Sequence, residues 1–124
     1  DESHVKATKI LSEARELTEK LNTLDILLDL GNYGVGTYAL KKDLSSYKEI
    51  IVVVSYVSNN SNVTCGHIPI MPFKVIPQDQ YGWYIPIYEI ASIAQTVYVR
   101  YVDDTHIQVT NATNAIVRAI YGIK

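Results

Sequence analysis

Over the first part of the chain most positions are polar, and small or apolar residues return every three or four. Ser3, Ala7, Ile10, Ala14, Leu17 and Leu21 fall at alternating spacings of four and three. That is the period of a helix seam, because a heptad keeps one face of an α-helix in register. The pattern predicts a helix over 3–22, with Ala7, Ala14 and Leu21 at the a positions and Ser3, Ile10 and Leu17 at d. Glu2/Lys6 and Glu16/Lys20 stand four apart with the acid first, the better orientation for a helical ion pair. Two readings fit the seam. The helix packs on its own domain, or it is the end of a longer multi-chain stem. The stem is the sharper expectation. It divides the chain into a coiled-coil stem over 1–22 and a head over 23–124, with Ala7, Ile10, Ala14, Leu17 and Leu21 as the trimer seam.

Beyond Leu24 the period shortens. Leu24, Ile26, Leu28 and Leu30 alternate with Asp25, Leu27 and Asp29. The alternation predicts a strand over 24–30, although Leu24 and Leu28 also continue the heptad. Gly31, Asn32, Tyr33 and Gly34 predict a turn, and 35–40 the returning strand. After a polar connection over 41–46 comes the longest β-branched run, 47–56. Ile50, Val52, Val54 and Tyr56 point one way; Ile51, Val53 and Val57 point the other. A strand with one wet face alternates apolar and polar residues. This one does not, so both faces are expected to be covered, one by the core and one by a second sheet or another chain.

Residues 58–62 form a loop without an apolar residue, and 63–70 is the next strand candidate. Pro69, Pro72, Pro77 and Pro86 punctuate the middle of the chain, which predicts edge strands or irregular crossings there. Residues 78–82 read as a second polar loop and 83–90 as a strand. The last third predicts three strands, 96–102, 105–110 and 115–121, with turns at Asp103–Asp104 and at 111–114, as a three-stranded meander. Short strands with frequent turns imply a mainly β fold: an antiparallel, jelly-roll-like β-sandwich behind an N-terminal helix.

At 124 residues and a net charge of -2, the expectation is one domain, or one domain with an appendage, and no basic face is forced. Nucleic acid is therefore not an expected partner. No apolar run approaches the ~20 residues of a membrane span, so membrane insertion is not expected either. The single Cys excludes an internal disulfide. The chain begins at Asp1, not Met, so a fragment or a processed product is expected. Tyr occurs 10 times against one Phe and one Trp. Tyr suits strands, interfaces and sugar contacts, though a β-rich protein alone would explain the excess.

Catalytic patterns are missing from the sequence. There is no Gly-rich phosphate loop and no serine elbow. His106 stands near Asp103 and Asp104, but in a predicted hairpin turn where polar residues belong anyway. Cys65 and His67, two apart on a strand, share a face. Two ligands per chain are too few for a closed zinc site unless chains converge on an axis. Glu89, Asp79, Asp103 and Asp104 are glycosidase acids by type only. The expectation is no enzyme, no metal and no cofactor. Binding remains. Asn59, Asn60 and Asn62 form one polar loop set; Asp79, Gln80, Tyr81, Trp83 and Tyr84 form another. Amides and carboxylates take sugar hydroxyls, and aromatic faces take sugar C–H groups. For Trp83 itself a place in the core is the stronger expectation and ligand contact the alternative.

Two segments carry a resemblance. Asp43-Leu44-Ser45-Ser46-Tyr47-Lys48-Glu49-Ile50-Ile51-Val52 is similar to the serine, tyrosine and β-branched run of distal C-terminal domains in tailed-bacteriophage tail fibres and tailspikes. The ending Ile120-Tyr121-Gly122-Ile123-Lys124 resembles a chain end common in that group. The likeness covers roughly 24–124. It implies a homotrimeric fibre tip on a virion, extracellular, which adheres to a bacterial surface polysaccharide or outer-surface protein. In some members such a domain only drives trimer assembly. The family shares no binding-residue motif, so the resemblance assigns no ligand residue.

Overall fold

A computed structural model describes residues 2–21, 24–58, 61–75, 82–90 and 93–124. Helix α1 spans Glu2–Leu21, within a residue of the predicted bounds at each end. Thr8 keeps its hydroxyl satisfied inside the helix by donating to the His4 carbonyl at 3.0 Å. From residue 2 to 16 every helix side chain is exposed, Val5 at 65 % and Ile10 at 66 %. Ala7, Ile10 and Ala14 are therefore not buried against the head. Leu17 and Leu21 belong to α1, but their side chains lie outside the described set.

The head holds strands β1 (Leu24–Leu28), β2 (Gly36–Ala39), β3 (Glu49–Tyr56), β4 (Thr64–Pro69), β5 (Trp83–Ile90), β6 (Ile93–Asp103), β7 (His106–Thr113) and β8 (Ala115–Ile123). A 3-10 turn, Leu44–Ser46, precedes β3, and a short helix α2, Ile70–Val75, follows β4. The strands make two four-stranded sheets, ordered β1-β8-β3-β4 and β2-β7-β6-β5, with every pair antiparallel. The result is a β-sandwich. β6 and β7 face β8 across the core, and β5 faces β3 and β4.

The core forms between the inner faces. Ile50, Val52 and Val54 of β3 meet Val97 and Val99 of β6, Ile107 and Val109 of β7, and Val117 and Ile120 of β8. Phe73 of α2 is fully buried and closes one side, its ring edge-on to Tyr101 at 5.7 Å. Sequence alone missed α2, because Pro69 and Pro72 argued against regular structure. A proline in a first helical turn loses no intrahelical bond, so Pro72 is tolerated there.

Two further expectations need correcting. Residues 111–113 remain in β7, and the turn shrinks to Asn114, whose φ of 53° is the left-handed geometry Asn tolerates. The meander is β5-β6-β7, not the last three strands. β8 leaves that sheet and inserts between β1 and β3. On the outer side of β3, Ile51 and Val53 are partly buried, and no second sheet of this chain covers them, which leaves another chain as the cover expected for that face.

Two local devices pin β8. Register slips between the Val53↔Ala119 and Val54↔Val117 pairs, leaving Arg118 as the extra residue of a bulge. The bulge aims Arg118 at the Ser55 hydroxyl (Nε to Oγ, 2.6 Å), the Tyr56 carbonyl (Nη2, 3.2 Å) and Asn32. Near the other end, Gly122 lets the Tyr47 ring lie against the strand. A Cβ there would stand 2.6 Å from Tyr47 Cδ1. The Tyr47 hydroxyl donates to Asp25 Oδ2 at 2.8 Å. That bond holds the Asp25 carboxyl below its ordinary value, helped by Lys124 and Lys42. Burial, then Asp25, pushes the Tyr47 hydroxyl up to about 12.

Candidate functional site

The head offers two broad surfaces, the outer faces of its sheets. The β2-β7-β6-β5 face is polar and aromatic. Thr37 opposes Gln108, and Gln108 opposes Arg100. One row along, Tyr84 opposes Tyr98, and Tyr98 opposes Asn111. The Tyr84 and Tyr98 rings sit 4.9 Å apart at 44°, and Tyr84 is 38 % exposed. This face joins flat rings to amides and a guanidinium, which is the chemistry that recognises a sugar chain or a polar peptide.

The β1-β8-β3-β4 face differs. One row runs Ile26, Tyr121, Ile51, His67; the next runs Ala119, Val53, Cys65; a third pairs Leu24 with Ile123 and then Glu49. Polar groups collect at the β4 side. There His67 Nδ1 lies 2.5 Å from Glu49 Oε1 and its Nε2 lies 3.6 Å from Cys65 Sγ. With a carboxylate at Nδ1, that nitrogen carries the proton and Nε2 accepts from the thiol. The shared face of Cys65 and His67 was legible from their spacing. Glu49 was not, because only the β3–β4 register brings it beside His67. Glu49 sits on the opposite side of the imidazole from the thiol. Among the described residues, no group of three or more His, Cys, Asp or Glu converges to hold a metal ion.

The acidic turn between β6 and β7 is occupied by local structure. Asp103 Oδ1 meets His106 Nδ1 at 2.8 Å and takes the Thr105 amide at 2.9 Å; both hold its carboxyl low, His106 first. Asp104 accepts from Lys74 at 2.7 Å and from the Tyr101 hydroxyl at 2.9 Å, and is also held low. Lys74 is raised in return by Asp104. These bonds tie α2 to the turn and leave neither carboxylate aimed at a shared reaction centre.

The predicted binding residues fare differently. Asn59, Asn60, Asp79, Gln80 and Tyr81 lie outside the described residues. Asn62, with φ 54°, turns the β3–β4 loop and donates from Nδ2 to Gln95 Oε1 at 3.1 Å. Gln95 is 8 % exposed, so the Asn62 amide serves a buried partner. Trp83 is partly buried and packs against the core, and its ring N–H is buried without a hydrogen-bond partner among the described residues. Tyr84, its neighbour, points the other way, into the polar face. Tyr98, Arg100 and Asn111 join Tyr84 there and were missed. Their only sequence signal is the outward phase of the alternation through β6 and β7.

Set against known protein families and against curated proteins, the chain matches none. Among the described residues no helix is long and apolar enough to cross a membrane.

Proposed function

We propose that this chain is the distal C-terminal part of a tailed-phage fibre or tailspike. In this reading α1 is the end of a trimeric stem, and the sandwich is a head that binds a bacterial surface polysaccharide or outer-surface protein during adsorption. One observation carries the reading. The two segments that resemble such domains are far apart in the chain but form a single substructure. Glu49, Ile50 and Val52 pair with Ile123, Gly122 and Ile120, and the Tyr47 ring lies against Gly122. A tyrosine before the β run and a glycine in the chain end need each other sterically, so finding both together is less accidental than finding either. The exposure of Ala7, Ile10 and Ala14 agrees with a stem, since helices in proteins draw most of their stability from packing an apolar face rather than from propensity.

In this reading the β2-β7-β6-β5 face receives the ligand. Its rings and amides are weak singly and gain by repetition around a trimer. The experiment is binding of the chain to a bacterial-glycan array and to host cells, with Tyr84→Ala as the variant. A sugar–ring contact changes binding by an order of magnitude for ~1.4 kcal/mol. About tenfold weaker binding with unchanged urea stability supports the reading, whereas undiminished binding removes this face from it. A second reading is an assembly domain without its own ligand. The apolar β1-β8-β3-β4 face favours it, and a trimer that binds no glycan and no cell would select it.

A further inference from the structure

A sandwich needs to bury only the inner face of each sheet, and its outer faces are ordinarily polar. The β2-β7-β6-β5 sheet obeys, with Thr37, Gln108 and Arg100 across one row. The β1-β8-β3-β4 sheet does not. Leu24 and Ile26 are 47 % and 49 % exposed, and their rows continue sideways into Ile123, Tyr121 and Ile51, with Val53 one row on, all partly buried. No charged side chain interrupts the rows Ile26–Tyr121–Ile51 and Ala119–Val53. Glu49 and His67 stand at the β4 margin and Arg118 at the far end. An apolar centre with a polar rim is the anatomy of a protein interface.

We propose that this outer face is where copies of the chain meet, as the direct continuation of the α1 seam. The inference deepens the fibre reading and rests on its oligomer. α1 ends at Leu21 and β1 begins at Leu24, so seam and face are separated by only a few residues. Area argues for a second copy. A 20-residue helix, ~30 Å long and ~10 Å wide, presents roughly 300 Å². The apolar rows, spanning three strands and about 20 Å along them, present roughly 300 Å² more. A stable interface takes about 800 Å² per partner, so each surface alone falls far short and the two together approach it. Copies joined by the helix already hold their heads at high local concentration. The same apolar face on each copy then needs no other occupant to leave water.

The only cysteine reports on this face, because Cys65 stands opposite Val53 at its margin and is exposed in the single chain. The test uses the full chain. Solution mass is measured by light scattering and the rate of Cys65 modification by a maleimide is measured in parallel. The variants are Ile26→Lys, Ile10→Lys and, on the opposite outer face, Thr37→Lys. Ile26 is half-exposed and has room for the lysine stem, and a urea curve verifies folding. The expected result is an oligomer with slow Cys65 modification. Ile26→Lys then weakens association at least about tenfold, as burying a charge in an apolar contact does, and speeds Cys65 modification by a similar factor. Thr37→Lys changes neither. An oligomer broken by Ile10→Lys but untouched by Ile26→Lys, with Cys65 reacting as fast as an unfolded thiol, overturns the inference and leaves the fibre reading standing. A monomeric wild type overturns both. A monomer whose host-cell binding is lost in Ile26→Lys assigns the face to a foreign protein and overturns the second copy.

Discussion

Gly122→Ala is the sharpest probe of the β3–β8 substructure. Gly122 has no left-handed φ, so alanine meets no backbone penalty there. Removing glycine's freedom in the unfolded chain would by itself stabilise by ~0.4–1 kcal/mol. Space decides otherwise. The new Cβ would sit 2.6 Å from Tyr47 Cδ1 and 2.8 Å from Cε1 and Cγ. These are the root and flank of the ring, not the tip of a flexible side chain. The ring cannot swing away freely, because its hydroxyl is tied to Asp25 at 2.8 Å. Nor can the strand retreat, because Gly122 is paired to Asp25 on one side and Ile50 on the other. Overpacking of this kind costs ~1–3 kcal/mol, so after that gain a net loss of about 1–2 kcal/mol is expected. With a urea slope of ~1–3 kcal/mol per molar, the midpoint should fall by roughly 1 M. The assay is urea unfolding at one fixed protein concentration, since association would add to apparent stability. Repeating the substitution in a Tyr47→Ala background closes a double-mutant cycle. There the clash has no partner and Gly122→Ala should become neutral or mildly stabilising. Gly122→Ala within about 0.5 kcal/mol of wild type, or equally costly in both backgrounds, would refute the steric account.

Other outcomes are equally specific. Tyr47 is pushed from 10.0 up to about 12, so the folded state keeps a proton that the unfolded chain loses. Its contribution is fully present below pH 10 and drains away as pH climbs towards 12; the unfolding midpoint should fall over that window and do so less in Tyr47→Phe. Asp25, held low first by the Tyr47 hydroxyl, contributes above its ordinary 3.8 and loses that contribution as pH falls through the lowered value. In Tyr47→Phe its carboxyl resonance should titrate at higher pH. Phe73→Ala empties a fully buried ring site and ends the contact with Tyr101, so it should cost ~3–5 kcal/mol in urea unfolding. Tyr84→Ala should leave that midpoint unchanged while weakening binding, since its ring stands on an outer face.

Local pattern was enough for α1 and for the existence of the strands, though not for α2. The four-and-three spacing marks α1, and the alternation from Leu24 marks β1, because a period is a property of neighbouring residues. The β-branched run through Ile50 and Val54 announced a strand under demand from both sides. Partners were another matter. Strand pairing joins residues far apart in the chain, and nothing in 115–121 says whether β8 stays beside β7 or inserts between β1 and β3. A period of two says that Trp83 and Tyr84 face opposite ways but not which faces inward. The fold decides that, packing Trp83 against the core and leaving Tyr84 outside. Glu49 meets His67 only through the β3–β4 register. Neighbouring residues specify a helix with one seam, a set of strands and a run apolar on both sides. Which side of that run the chain buries emerges from strand pairing and sheet packing, because burial is a relation between strands and not a property of one.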